Sequence, residues 1–186
     1  MLLVAIGIYI ASAGVSLNGL VKAARAGNGA EILARTDLPR LRRSLVDQIV
    51  SAYLRRIGQD RPIKPLERML VNTYGSSIAD ALVGKMLTEE NLTSMLKNGT
   101  IAGGGSGDAN MQRLGELDTS KVFELMSHLS LIKPVEFLIR FGDSESSGGI
   151  SLHFEGNGWK LSEVQLPAAA VQALAQSLPE NKGRKS

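Results

Sequence analysis

Residues 150–167, "ISLHFEGNGWKLSEVQLP", put an apolar side chain at every second position. Ile150, Leu152 and Phe154 alternate with Ser151 and His153. Trp159 and Leu161 alternate with Lys160 and Ser162, and Val164 and Leu166 with Glu163 and Gln165. A period of two with one apolar face is the pattern of half-buried strands, and Glu155-Gly-Asn-Gly158 between them forms a tight turn. Pro167 ends the pattern and opens a last helix through Leu178. Upstream, Val135, Phe137, Ile139 and Phe141 alternate with Glu136, Leu138 and Arg140, and residues 142–149 join this strand to the next. The reading is a three-stranded antiparallel meander followed by a C-terminal helix.

Everything before the strands has helical spacing. Leu17, Leu20, Val21 and Ala24 continue a helix that stops at Gly27-Asn28-Gly29, and a short helix follows over 30–34. Asp37 reads as an N-cap with Pro39 in the first turn, where the missing N–H costs nothing. The next helix runs to about Ile57 on Leu38, Leu41, Leu45, Val46, Ile49, Val50 and Tyr53. A third spans about 65–87, with Leu66, Met69, Leu70, Tyr74, Ile78, Leu82 and Met86 at intervals of three and four. Thr88 caps a fourth that Gly99 closes. Residues 118–126 read as a further short helix. The fold class is α+β, with an N-terminal membrane-anchor helix and a bundle of three to four helices packed on the meander. The expected units are an anchor or signal-like helix over 1–21, one α+β domain over 22–178 with a mobile loop at 99–110, and a disordered basic tail over 179–186.

Net charge is +3, but residues 22–68 hold eleven basic and five acidic side chains, a local +6 that suits an anionic surface. Cysteine is absent, which excludes disulfides, thiolate metal sites and Cys nucleophiles. No charged residue precedes Lys22. As a helix, residues 1–21 reach about 31 Å, against a hydrocarbon core of roughly 30 Å. The expectation is a single-pass anchor in the bacterial inner membrane with the domain facing the periplasm. The alternative is a cleaved periplasmic protein, since Ala11-Ser12-Ala13 has the form of a signal-peptidase site. No Lys or Arg precedes the apolar run, so the positive-inside rule taken alone would place the domain in the cytoplasm.

On the helix after Asp37, Arg40, Ser44, Asp47, Ser51 and Arg55 form one polar stripe, with Arg43 beside it. Arg42 falls on the side of Leu38, Leu41, Leu45 and Ile49. A buried guanidinium needs a carboxylate, and Asp37 is the nearest. Asp37, Pro39, Arg42, Ser44 and Trp159 are therefore read as structural, Trp159 as a sheet anchor. Lys22, Arg25 and Arg35 are read as contacts for anionic lipid headgroups. The 4% aromatic content and the lack of aromatics among the arginines argue against nucleic acid. Gly103–Gly107 lacks the Gly-Lys-Ser/Thr ending of a phosphate loop. His128 and His153 form no metal motif, no serine sits in a Gly-x-Ser-x-Gly elbow, and Glu89-Glu90 sit in a first helical turn. No catalytic residue, cofactor or metal is expected.

The stretch "VSLNGLVKAARAGNGAEILARTDLPRLRRSLVDQIVSAYL" resembles the opening of a bacterial family of unknown function, domain-of-unknown-function family 2939. Its Asp-Phe-Pro-x-Leu-Arg-x-Ser-Leu signature reads Asp37-Leu38-Pro39-Arg40-Leu41-Arg42-Arg43-Ser44-Leu45 here, with Leu38 in place of the aromatic. "GNGWKLSEVQLP" also resembles the family's closing strand, so that the likeness extends over nearly the whole chain apart from the loop around Gly103. The resemblance implies an envelope location and no reaction. The helix-first, sheet-last order is similar to cystatin-type and nuclear-transport-factor-type folds. The function expected is a non-enzymatic domain that binds the bilayer through residues 1–21 and a small apolar ligand or an envelope protein between helices and sheet. The alternatives are an enzyme with an unidentified pocket, or a cytoplasmic-facing adaptor on anionic membrane.

Overall fold

The computed structural model describes residues 2–60, 62–102, 113–116, 129–133, 135–140, 148–156 and 158–178. The helix expected over 118–126, most of the loop at 99–110 and the tail over 179–186 lie outside them. The order is α1 (Leu2–Ala26), α2 (Gly29–Ala34), α3 (Leu38–Asp60), α4 (Pro65–Leu70), a π-helical turn (Val71–Gly75), α5 (Ser76–Met86), α6 (Glu89–Asn98), a 3₁₀ turn (Leu114–Glu116), β1 (Leu129–Lys133), β2 (Glu136–Arg140), β3 (Gly149–Glu155), β4 (Gly158–Gln165) and α7 (Ala168–Gln176). The fold is α+β, and the expected meander of β2, β3 and β4 is present. A fourth strand, β1, pairs antiparallel with β2, so the sheet order is β1-β2-β3-β4. "LSLIK" breaks its alternation at Ile132, and Pro134 follows at once, which hides it as a strand.

The hairpin closes as its sequence requires. Gly156 takes φ 62°, a conformation without penalty for glycine alone. Thr88 caps α6 by accepting from the Asn91 N–H at 3.2 Å, and Gly99 ends it with φ 72°. At the start of the expected mobile loop, Gly99 belongs to this cap and Ile101 is buried.

β4 lies at one edge of the sheet, and helix-side groups cover that edge at both ends. Thr36 forms a parallel bridge with Leu161. The Asp37 N–H donates to the Leu161 carbonyl and the Leu161 N–H donates to the Arg35 carbonyl, each at 2.8 Å. One helical stretch on, the Gln48 side chain donates Nε2–H to the Val164 carbonyl at 2.9 Å and accepts the Leu166 N–H on Oε1 at 3.0 Å. A glutamine amide thus supplies the donor and acceptor that a neighbouring strand would offer. This holds α3 along β4, so that Leu41, Leu45 and Ile49 are fully buried facing Leu161 and Val164.

The N-terminal helix departs from expectation. From Tyr9 onward, α1 packs on the domain. The Tyr9 ring lies 5.1 Å from Trp159, 5.6 Å from Phe154 and 6.5 Å from Phe137, centroid to centroid. Ala13, Leu17, Leu20, Val21, Ala23 and Ala24 are buried. The expected anchor over 1–21 is therefore corrected: Ala13, Leu17, Leu20 and Val21 belong to the core, and α1 runs through residue 21 without a break. Among the described residues no helix is long and apolar enough to cross a membrane.

A second departure concerns the helix expected over 65–87. Its inward face is Ala79, Val83 and Met86. The large side chains Leu66, Met69, Leu70, Tyr74 and Ile78 lie outside, with relative exposures of 67%, 64%, 40%, 67% and 41%. Small residues let α5 approach α3 closely, and the larger ones are left on the far side.

Gln48→Leu keeps the side-chain volume and removes both bonds to β4. The carbonyl of buried Val164 and the N–H of buried Leu166 are then unpaired, so urea denaturation should show a loss of about 1–3 kcal/mol.

Candidate functional site

The arginine cluster resolves into separate roles. Arg42 does not enter the core. Its guanidinium leaves α3 on the flank facing α5 and grips the Asp80 carboxylate in a two-point fork, Nε to Oδ1 and Nη2 to Oδ2, the latter at 2.6 Å. Both side chains are nearly half exposed, 46% and 47%. The expectation of a buried Arg42 paired with Asp37 is thus corrected in both parts. A helical wheel gives the direction of the Cα–Cβ bond, whereas a long arginine stem carries its charge back toward water. The hydrogen bond from Arg42, aided by its charge, holds the Asp80 carboxyl below the usual carboxylate range. The same hydrogen bond and the Asp80 charge raise the guanidinium.

Asp37 is buried and caps α3, accepting the Arg40 N–H on Oδ1 at 3.1 Å. Its Oδ2 takes Arg40 Nε at 2.9 Å, so Asp37 pairs with the outward arginine. Pro39 sits exposed in the first turn of α3. The Ser44 hydroxyl accepts from Gln48 Nε2 at 3.2 Å and steadies the amide that reaches β4.

Of the three expected headgroup contacts, Lys22 and Arg25 are exposed near the end of α1. Arg35 is engaged within the fold. Nε and Nη2 donate to Glu31 Oε1 at 3.0 and 2.8 Å, and the guanidinium lies over α1 where Gly19 leaves room. A Cβ at position 19 would come within 2.6 Å of Arg35 Nη1. Arg35 therefore docks α2 on α1.

Trp159 joins α1 to the sheet. Its ring packs 4.8 Å from Phe137 and 5.3 Å from Phe154, and Nε1–H donates to Ser12 Oγ at 2.9 Å. The Ser12 hydroxyl in turn donates to the Tyr9 carbonyl at 2.6 Å. Ser12, Gln48 and Asp80 carry as much of the architecture as the residues singled out from the sequence. Nothing local marks them, since each partner lies 38 to 147 residues away.

Between helices and sheet, where an apolar ligand was expected, the described buried side chains form one hydrophobic cluster. A cavity of about 860 Å³ lies instead between α3 and α7, and its lining is largely polar: Asp47, Arg55, Arg56, Gln59, Glu163, Gln172 and Gln176. Arg56 stacks over Tyr53, 5.4 Å from the ring centroid. Among the described residues no group of His, Asp and Glu could hold a metal ion. His153 Nδ1 is buried without a hydrogen-bond partner in the described fold, and His128 lies outside the described residues.

Two measurements check these assignments. Asp80 has a lowered folded pKa, so its contribution is present at neutral pH and lost as pH falls through the acid range below the unfolded carboxylate value. Asp80→Asn should remove that part of the acid sensitivity, and Arg42→Ala should remove the same part, with no further change in the double variant. For Trp159, Trp159→Phe and Ser12→Ala should each cost about 1 kcal/mol by thermal melting, and the double variant well under the sum, because both delete one hydrogen bond.

No curated protein matches the chain, and no solved structure matches it. The likeness to cystatin-type and nuclear-transport-factor-type folds therefore rests on element order alone. The closing strand "GNGWKLSEVQLP" lies beyond the stretch that a family model matches, so the family likeness covers less of the chain than its sequence suggested. That model, described as protein of unknown function (DUF2939), matches residues 2–95, from α1 into α6, and the chain belongs to this family.

Proposed function

We propose that this chain is a non-catalytic binding domain of the bacterial envelope, working at the inner-membrane surface, and that its working surface is the outer face of the α4–α5 layer. The observation that carries this is the stripe of Leu66, Met69, Leu70, Tyr74 and Ile78, all exposed on one helical run. Five large apolar side chains held in water on one stripe form a contiguous patch of the kind that marks an interaction site.

Membrane proximity is supported by the apolar start of the chain and by the exposure of Gly7 and Ile8. Residues 2–8 span only about 10 Å as helix, a third of a hydrocarbon core, so attachment through them alone is interfacial. Cleavage after Ala13 fits poorly, since it would strip Tyr9 and Ser12 from Trp159. The periplasmic side belongs to the proposal. An alkaline phosphatase fused after Ser186 should be active, and a reporter that works only in the cytoplasm should be silent.

The binding face has its own test. A photo-crosslinking residue placed at Tyr74 in cells should form adducts, while the same residue at Lys160 on β4 should not. Equal yields at the two positions, or none at either, would sink the assignment.

A further inference from the structure

We infer that the occupant of the α4–α5 stripe is an anionic lipid surface, a reading that rests on the binding face proposed above and names what it meets. The run from Pro65 to Met86 is helical throughout, with a π turn at Val71–Gly75 in its middle. Leu66, Leu70, Tyr74 and Ile78 recur at every fourth residue. In an unbroken α-helix each such step drifts by about 40°, which would wind the four side chains through roughly 120° of the surface. A π turn takes more residues per turn and cancels most of that drift. Thr73, inside the turn, donates its hydroxyl to the Met69 carbonyl at 3.0 Å, a back-bond that favours local bending. The π turn thus brings the four side chains closer to one line than an unbroken α-helix would, which suits a flat interface.

The chemistry around the line selects the partner. Lys64 and Arg68 are exposed at its leading end. The acids of this region are Asp60 and Glu67, and Asp80 is already held by Arg42. The line itself carries no charge, and Asn72, Thr73, Ser76 and Ser77 complete the helix with neutral polar groups. Cations flanking an apolar helical face with a tyrosine in it are the composition of an interfacial helix on negatively charged lipid. Residues 60–68 hold three cations, Arg61, Lys64 and Arg68, against Asp60 and Glu67, so a second copy of the same face would meet the same net positive charge, whereas phosphate headgroups neutralise it. The proposed lipid contact thus moves from Lys22, Arg25 and Arg35 to Lys64 and Arg68, with Leu66, Leu70 and Tyr74 entering the interface.

The full chain is mixed with vesicles of phosphatidylglycerol and phosphatidylethanolamine, or with vesicles of phosphatidylcholine, and separated by flotation. Binding to the anionic vesicles that weakens with added salt is expected. Lys64→Gln with Arg68→Gln should lower the partition coefficient about 30-fold, each cation near the surface being worth about a factor of five. Leu66→Ser with Tyr74→Ser should lower it by about tenfold or more. Arg140→Gln, a charge loss on β2, should leave it unchanged. Circular dichroism confirms that each variant is folded. No vesicle binding by the wild-type chain overturns the inference, as does binding that both stripe variants retain or that is equal on the two lipids. A concentration-dependent dimer abolished by Leu66→Ser with Tyr74→Ser also overturns it and assigns the face to a second copy. A chain that ignores vesicles but still crosslinks at Tyr74 in cells keeps the binding face and loses the lipid. Loss of both removes the proposed function as well.

Discussion

The outer edge of β4 is the constraint on which the rest of the architecture depends. An edge strand presents unpaired N–H and C=O groups, and leaving them buried and unmatched costs more than any single contact in this fold returns. Here the Arg35–Asp37 connection takes both Leu161 groups, and Gln48 takes Val164 and Leu166. These two clamps sit at the start and near the middle of α3, so they fix both its position and its direction along the strand. α5 and α7 then pack on α3, and the helical layer follows from the sheet edge. The same connection caps α3 through Asp37, which makes one short segment responsible for a strand pairing, a helix start and an ion pair with Arg40.

Once α3 is fixed, α5 has a choice of face, and the sequence settles it by size. Ala79 and Val83 meet α3, and Met86 closes the end. The larger side chains could have made a thicker hydrophobic seam, but Leu70, Tyr74 and Ile78 point away from it. The Arg42–Asp80 fork contributes to this orientation: with Asp80 facing α3, Ile78 and Tyr74 are carried outward. As both partners are half in water, the fork sets rotation more than stability. The large apolar side chains of this helical run are thereby left on the face turned away from α3.

Much of this fold was legible before any coordinates. The β3–β4 hairpin, the Asp37 cap, the Asn28 break and the Thr88 start of α6 all rest on local chemistry, in which residues a few positions apart decide the conformation. Three kinds of feature were not legible. β1 lacks a clean alternation, so only its pairing with β2 reveals it. Arg42 was placed on the right flank of α3 and given the wrong depth, because periodicity locates a Cα while the guanidinium ends several bonds away. The stripe from Leu66 to Ile78 is legible as one helical face, but its spacing does not say that the face is exposed. Spacing reports that a face exists, and only tertiary packing reports whether another element covers it.

The N-terminal helix makes that last point sharper, because its two uses exclude each other. A span over 1–21 would place Leu17, Leu20 and Val21 in lipid, where they lose nothing by leaving the core. The loss falls on the other side. Trp159 and Phe137, with Ile32 among the core residues beside α1, would forfeit their cover, and the Trp159 N–H its acceptor on Ser12. Uncovering three such side chains costs roughly 5–9 kcal/mol at about 1.5–3 each, against a total stability of about 5–15 kcal/mol for an ordinary domain. A folded domain and a membrane span therefore cannot share Tyr9 to Val21. In this fold the groups left to meet anything outside the domain are those that the core has not already claimed.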